Sequence, residues 1–256
     1  MLHARRSQIV DKITEERMVK VSDLMQKFDV SIETIRRDLE YLEKCGYLKR
    51  VYGGAVLDGL YGQEPSYEHR EVINYHEKQA IAAKTAELID DGDAIIIDVG
   101  TTTLEVAHCL GMKKNLTVIT NATLVAHSLM AHENCRVILL GGELRRGELS
   151  VSGFLCNTNL QHFHANKAII GVGGITIDGG ISDYHIEEAN CRRTMISRAD
   201  KVIAVADYSK FDVTALNSVC EINRIDALVT DWSTPAKTLS AYRGAGVNVL
   251  VAQRLK

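Results

Sequence analysis

Between Ser31 and Tyr52 the chain gathers side chains that could meet nucleic acid. Glu33, Thr34, Arg37 and Tyr41 offer a carboxylate, a hydroxyl, a guanidinium and a phenol, the groups that exchange hydrogen bonds with base edges. Arg36 lies to the flank, where a phosphate contact fits it, and Lys49, Arg50 and Tyr52 follow as a second, basic group.

For these groups to act together they must share one face. Ile32, Ile35, Leu39 and Leu42 recur at spacings of three and four, which predicts a helix with that stripe buried. Arg37 then falls almost opposite the stripe, with Glu33 and Thr34 to either side and Tyr41 one turn on, near the helix N-terminus as in a recognition helix. Val21 to Phe28 predicts a shorter helix with Leu24 and Phe28 inward. Asp29-Val30 turns the chain, and Ser31 is placed to cap the second helix while standing at the edge of the DNA-facing set. The pair is a candidate helix-turn-helix. After Gly46, YLKRVYGGAV alternates and turns through Gly53-Gly54, a β-hairpin wing whose glycines would let the backbone approach a sugar-phosphate chain. Ala4 to Glu16 predicts a further helix with Ile9 and Ile13 inward; Arg5 and Arg6 near its start either meet a phosphate or lie in solvent.

A second set of chemistry-bearing residues follows short apolar runs. Asp98-Val99-Gly100-Thr101-Thr102-Thr103 is a glycine turn with hydroxyls at a helix start, which offers N–H groups, a helix dipole and O–H donors to an anion. Thr120-Asn121, Gly141-Gly142-Glu143-Leu144-Arg145-Arg146 and Asp207-Tyr208-Ser209-Lys210-Phe211 end other runs, and Lys210 could neutralise a phosphate. Donors, a carboxylate and cations converging on one edge suit a phosphorylated polyol better than a flat nucleotide. His162, His164 and His185 lack an acidic or cysteine partner at ligand spacing, so no metal site is expected.

Strands predicted at Ala94 to Asp98, Leu116 to Thr120, Arg136 to Leu140, Lys167 to Val172, Lys201 to Asp207, Ala227 to Thr230 and Val247 to Val251 would place those loops. They are nearly all apolar and alternate with helical stretches, the pattern of a mostly parallel sheet covered on both faces. Ligands bind beyond the carboxyl ends of such strands. The expected organisation is a DNA-binding domain over 1–57, a linker over 58–75 containing Gly59, Gly62 and Pro65, and a sensor domain over 76–256.

With 256 residues, 46% of them apolar and 25% charged, the composition is that of a soluble globular protein. The start MLHARRSQIV has no apolar core of a secretory signal, and runs such as AIII are too short to cross a bilayer, so a cytoplasmic protein with no membrane partner is expected. Six scattered cysteines with no C-x-x-C pair point to reduced, buried thiols. The net charge of −3 divides into +2 over residues 1–56, with 11 Lys+Arg against 9 Asp+Glu, and −5 over the remainder, with 19 against 24. So mild a basic excess asks for placed arginines and two or more heads acting together.

VSIETIRRDLEYLEKCGYLKRVYGGA resembles the N-terminal winged helix-turn-helix of the DeoR family of bacterial sugar-metabolism repressors, in which a serine, a TIRRDL core and an R-x-x-GGA wing recur. The second half resembles that family's sensor domain, a relative of ribose phosphate isomerases, through D-x-G-T-T at Asp98, T-N at Thr120, G-G-x-x-R at Gly141, Glu188-Ala189 and D-x-S-K-F at Asp207. The resemblance implies an effector pocket for a sugar phosphate or similar metabolite that includes Glu188, and an Arg70 that docks the linker on the sensor. It departs at Gly171-Val172-Gly173-Gly174-Ile175-Thr176, where the family often writes G-x-D-G-I-D and two carboxylates are missing. Proton transfer beside a carbonyl needs a positioned base, so no catalytic residue and no cofactor are expected. The leading expectation is a repressor of a carbohydrate-catabolism operon, acting as a homo-oligomer, dimer or tetramer, on double-stranded operator DNA. The alternatives are an activator of the same architecture and a sugar-phosphate isomerase with a DNA-binding appendage.

Overall fold

The computed structural model describes residues 2–16, 18–44, 47–57 and 64–255, so Cys45, Gly46, Gly59 and Gly62 lie outside the described residues. The chain divides into two compact units, Met1–Tyr75 and His76–Lys256.

The first unit runs α1 (Leu2–Glu16), β1 (Met18–Lys20), α2 (Val21–Phe28), α3 (Ile32–Lys44), β2 (Leu48–Val51), β3 (Gly54–Leu57) and α4 (Tyr67–Val72). Its core joins Ile9 and Ile13 of α1, Leu24 of α2, Ile35, Leu39 and Leu42 of α3, and Leu48 and Ala55 of the hairpin. Ile32, expected in the stripe, is only half-buried; the buried polar position of α3 is Asp38. Helix α2 stops where Asp29 turns left-handed at φ 50° and returns its N–H to the Met25 carbonyl. Ser31 then starts α3, its Oγ accepting from the Thr34 N–H at 3.3 Å.

The wing is a three-stranded antiparallel sheet in the order β1-β3-β2. Strand β1 was not legible in the sequence, and it changes the reason for one glycine. A Cβ on Gly54 would run into the Val19 carbonyl of β1, so Gly54 serves the pairing within the sheet rather than an approach to nucleic acid. Gly53, at φ 78°, makes the turn. Part of the stretch read as a linker is helical: α4 is capped by Ser66 and buries Tyr67 and Val72.

The second unit runs α5 (Tyr75–Ala86), β4 (Ala94–Ile97), α6 (Thr101–His108), β5 (Leu116–Thr120), α7 (Thr123–Leu129), β6 (Cys135–Leu139), β7 (Glu143–Arg145), β8 (Ser150–Ser152) and α8 (Phe154–Leu160). It continues with β9 (Ala165–Gly171), β10 (Gly174–Thr176), β11 (Gly180–Asp183), α9 (Ile186–Ser197), β12 (Ala199–Val205), β13 (Asn217–Cys220), β14 (Ala227–Asp231), α10 (Ala236–Gly244) and β15 (Val249–Ala252). Seven strands form one parallel sheet, in the order β15-β14-β12-β9-β4-β5-β6. Ile95 and Ile97 pack to one side with Val118, Ile169 and Val205, while Ile96 packs to the other with Ile119, Ala168 and Ala204. Burial on both faces is why these strands read as unbroken apolar runs. The antiparallel β7-β8 hairpin and the small β10-β11-β13 sheet, built from short and polar or glycine-bearing strands, were not anticipated.

The strand order reverses between β4 and β9: the chain builds outward through β5 and β6, then returns to β4's other side and continues to β15. Such a switch point opens a crevice at the carboxyl edge. Asp98 follows β4 there, and its Oδ2 accepts the N–H of Gly171, the last residue of β9, at 3.2 Å.

Candidate functional site

The candidate DNA face lies on α3 and the wing. Glu33, Arg36 and Arg37 are exposed on α3, as are Lys49, Arg50 and Tyr52 on the hairpin, with Tyr52 wholly exposed at its tip. Ser31 is exposed, and its Oγ lies 3.1 Å from Oγ1 of half-buried Thr34, so these two hydroxyls cap the helix as well as bordering the face. Arg50 gives both its N–H and its Nε to Glu43, at 2.7 and 2.6 Å. That pairing holds the Glu43 carboxyl below its ordinary range.

Tyr41 belongs to a different assembly from the one its spacing suggested. It is half-buried, with the Arg6 guanidinium 3.8 Å above its ring. Arg5 and Arg6 donate through Nε to the buried Asp38 at 2.6 and 2.8 Å, so both arginines fasten α1 to α3. Arg70 donates through Nε to the Pro65 carbonyl at 3.1 Å.

In the second unit, charged groups meet around α9 at the carboxyl edge of the sheet. Arg192 donates through Nε to Asp98 and through a terminal nitrogen to Asp183, and all three side chains are buried. Four residues earlier on α9, buried Glu188 accepts from Ser150 Oγ at 2.9 Å, and a terminal nitrogen of Arg145 lies 2.9 Å from its other oxygen. Asn121, fully buried after β5, donates through Nδ2 to the Val151 carbonyl at 3.2 Å. Two buried oxygens, Asp98 Oδ1 and Asn121 Oδ1, have no hydrogen-bond partner among the described residues.

Burial pushes the Asp98 carboxyl up to about 6; Arg192 opposes the shift, and the charges of Glu188 and Asp183 add to it. Burial works against the Arg192 charge, but Asp98, Asp183 and Glu188 outweigh it and hold the guanidinium well above its usual range. The cluster sets three carboxylates, Asp98, Asp183 and Glu188, against the guanidiniums of Arg145 and Arg192.

Of the expected effector residues, the fold brings together Asp98, Asn121, Arg145 and Glu188. Gly100, at φ 154°, precedes α6; Thr101 is buried, Thr102 half-buried, and Thr103 Oγ1 turns back to the Gly100 carbonyl at 3.0 Å. First-turn N–H groups such as those of Thr102 and Thr103 have no partner within their own helix. Gly141 donates to Asn159 Oδ1 at 3.1 Å, and Gly142 fits closely against Ser152 and Cys156. Glu143 is exposed on β7, and Arg145 of the same strand pairs with Glu188. Lys210 closes a 3-10 turn after β12; burial alone would raise the neighbouring Asp207, but Lys210, Lys78 and the hydrogen bonds from Ser209 bring it below its ordinary value. His164 pairs with Asp200 at 2.7 Å, away from this group.

Ser150 and Arg192 were missed by sequence reasoning, and Asp183, in the Ser182-Asp183-Tyr184-His185 stretch before α9, was left undecided by it. The spacing of Glu188 and Arg192 on one helix face was the available signal for the second. Asp183 also explains the unusual glycine loop. A Cβ on Gly173 would lie 2.9 Å from the Ser182 carbonyl and 3.3 Å from Asp183 Oδ2, so a carboxylate from β11 occupies the space beside position 173.

A winged helix-turn-helix and a parallel α/β unit with a charged crevice define a two-part regulator, and comparison with known proteins agrees. The model described as DeoR-like helix-turn-helix domain matches residues 5–59, and that described as DeoR C terminal sensor domain matches residues 73–232. The chain belongs to the DeoR family. It is 34% identical to the glycerol-3-phosphate regulon repressor of Escherichia coli K12, over 92% of this chain and 93% of that one. It is 32% identical to the HTH-type transcriptional regulator GolR of Listeria innocua (97% and 98%) and 34% identical to the HTH-type transcriptional repressor GlcR of Bacillus subtilis (96% and 95%). A ribose 5-phosphate isomerase A from Neisseria gonorrhoeae aligns over 54% of each chain at 18% identity and a TM-score of 0.39, a likeness that carries no argument about activity. Among the described residues no helix is long and apolar enough to cross a membrane.

Proposed function

We propose that this chain is a transcriptional repressor whose first unit binds operator DNA and whose second unit binds a phosphorylated sugar or polyol that releases it. The observation that carries the effector class is the pair of buried, unpartnered acceptors, Asp98 Oδ1 and Asn121 Oδ1, beside a carboxylate-rich cluster. Acceptors of that kind call for hydroxyl donors, since a buried polar group without a partner costs about 1–3 kcal/mol. With three carboxylates against two guanidiniums, the cluster itself repels an anion. The phosphate belongs instead at the N-terminal turn of α6, Gly100 to Thr103, and on Lys210. A ligand with hydroxyls at one end and a phosphate at the other satisfies both.

An isomerase would need a free base, and Asp183 is a poor one: it is tied to Arg192 and accepts the His185 N–H at 2.8 Å. The names of the relatives support repression over activation. One head covers one half-site, so a dimer or larger homo-oligomer on paired half-sites is expected; exposed Leu144, Leu149, Phe154 and Leu155 support self-association. The release mechanism requires the effector to prefer the low-affinity state, because a ligand shifts an equilibrium only by its difference in affinity.

The head is tested with Arg37→Ala, measured on the protein's own upstream DNA at fixed salt, with circular dichroism as the control for folding. Loss of specific binding with an unchanged spectrum is the expected result. Full retention of specific affinity would remove Arg37 from the recognition face.

A further inference from the structure

Two of the cysteines are not scattered in space. Cys156 of α8 and Cys191 of α9 are fully buried, with their sulfurs 3.0 Å apart, inside ordinary van der Waals contact. Cys109 is exposed, and Cys135 and Cys220 are half-buried. The two helices are also tied by Thr194 Oγ1 donating to Asn157 Oδ1 at 3.3 Å. Cys191 Sγ lies 4.0 Å from Asn121 Nδ2, on the helix that carries Glu188 and Arg192.

We infer that Cys156 and Cys191 form an oxidisable dithiol pair, converted to a reversible disulfide by a hydroperoxide. A disulfide requires the sulfurs to close by ~1 Å to a bond of about 2.05 Å, a change within reach of small side-chain rotations. The thiolate of Cys156 attacks the peroxide O–O bond, giving a sulfenic acid and releasing water or an alcohol. The Cys191 sulfur then displaces the hydroxyl from that sulfur and loses its proton, forming the S–S bond and a second water. The peroxide takes up the two electrons that the thiols lose.

The order of attack follows from the pair itself. The hydrogen bond from Cys191 lowers the Cys156 thiol despite its burial, whereas Cys191 is pushed up by the same bond and by burial. The other described cysteines, Cys109, Cys135 and Cys220, are all shifted up, chiefly by burial. Gly153, φ 85°, precedes α8, whose first turn exposes Phe154 and Leu155; oxidation requires that turn to admit a molecule the size of hydrogen peroxide. The covalent bond would pin α9 and with it Glu188 and Arg192. Disulfide formation is independent of the effector reading; only this consequence for release rests on it.

The test treats the full-length reduced protein with hydrogen peroxide, blocks remaining thiols with iodoacetamide under denaturing conditions, and maps the products by mass spectrometry. The expected result is a mass loss of about 2 Da in one cross-linked peptide pair containing Cys156 and Cys191, reversed by dithiothreitol. Cys156→Ala and Cys191→Ala should each abolish the cross-link, and the wild-type result stands even if a variant folds poorly. Alkylation of both Cys156 and Cys191 at peroxide levels that oxidise Cys109 would overturn the pairing. A cross-linked protein that releases DNA as the reduced protein does would overturn the coupling to α9 while leaving the modification standing.

Discussion

Arg192→Ala probes the charged crevice most sharply, because one guanidinium serves two buried carboxylates. Asp98 is 1% exposed and Asp183 is 2% exposed, and Arg192 is the cation that bridges them. Removing one partner of a buried ion pair costs about 3–5 kcal/mol, largely because the charge left behind has lost water without gaining a counter-charge. With two carboxylates stranded, the upper part of that range is expected at pH 7.5. The pH dependence supplies the sign. Asp98 already sits near 6 with Arg192 in place, so without it the folded-state pKa rises further above the unfolded value. The deficit is therefore fully present above the raised pKa and shrinks as pH falls through it, by about 1.4 kcal/mol per pH unit, until about 6, where the wild-type Asp98 takes up its proton too. Trp232, the single tryptophan, packs against the core of the second unit and reports its unfolding. Urea titrations followed by its fluorescence should give a smaller deficit at pH 6 than at pH 7.5, by up to about 2 kcal/mol at ~1.4 kcal/mol per unit, and no further shrinkage below that. A deficit below about 1 kcal/mol, or one that does not change with pH, would refute the reasoning.

Gly173→Asp drives a side chain onto the Ser182 carbonyl and a second carboxylate beside Asp183; the second unit should lose stability by about 2 kcal/mol or more, checked by the same urea titration. Asp38→Ala strands Arg5 and Arg6 at the joint of α1 and α3, so the first unit should melt earlier, by roughly 1–3 kcal/mol, with DNA affinity falling only through that loss. Asp231, pushed up to about 6 chiefly by burial, contributes stability that is lost as pH rises from about 4 to 6. Asp231→Asn should make the wild-type decline over that window shallower by about 1.4 kcal/mol per pH unit, measured by thermal unfolding across the range.

What the sequence made legible follows the range of the interactions. The helices of the first unit, the Ser31 cap and the wing are specified by neighbours a few residues apart, and the structure has them where the periodicity placed them. The seven parallel strands were legible because burial on both faces leaves apolar runs, while β1 and the short strands β7, β8, β10, β11 and β13 leave no such trace. In the site, Asp98 and Asn121 could be found because strand ends in such a sheet face the crevice. The partner of Asp98 could not: Arg192 is 94 residues away in sequence, and only the packing of α9 brings it in. Tyr41 shows the opposite limit, since helical spacing placed it outward but could not foresee Arg6 of another helix closing over its ring.

On the proposed function, a phosphorylated, hydroxyl-bearing molecule in the α9 crevice releases the head from DNA. Fluorescence anisotropy of the full chain on its own upstream DNA, at one stated salt concentration, against a panel of phosphorylated sugars and polyols and their unphosphorylated forms, tests it directly. One phosphorylated compound should lower DNA affinity at least tenfold, its unphosphorylated form should not, and Lys210→Ala should bind DNA normally but blunt the release. Specific DNA binding that no phosphorylated compound weakens, or equal release by the phosphorylated and unphosphorylated forms, would contradict it.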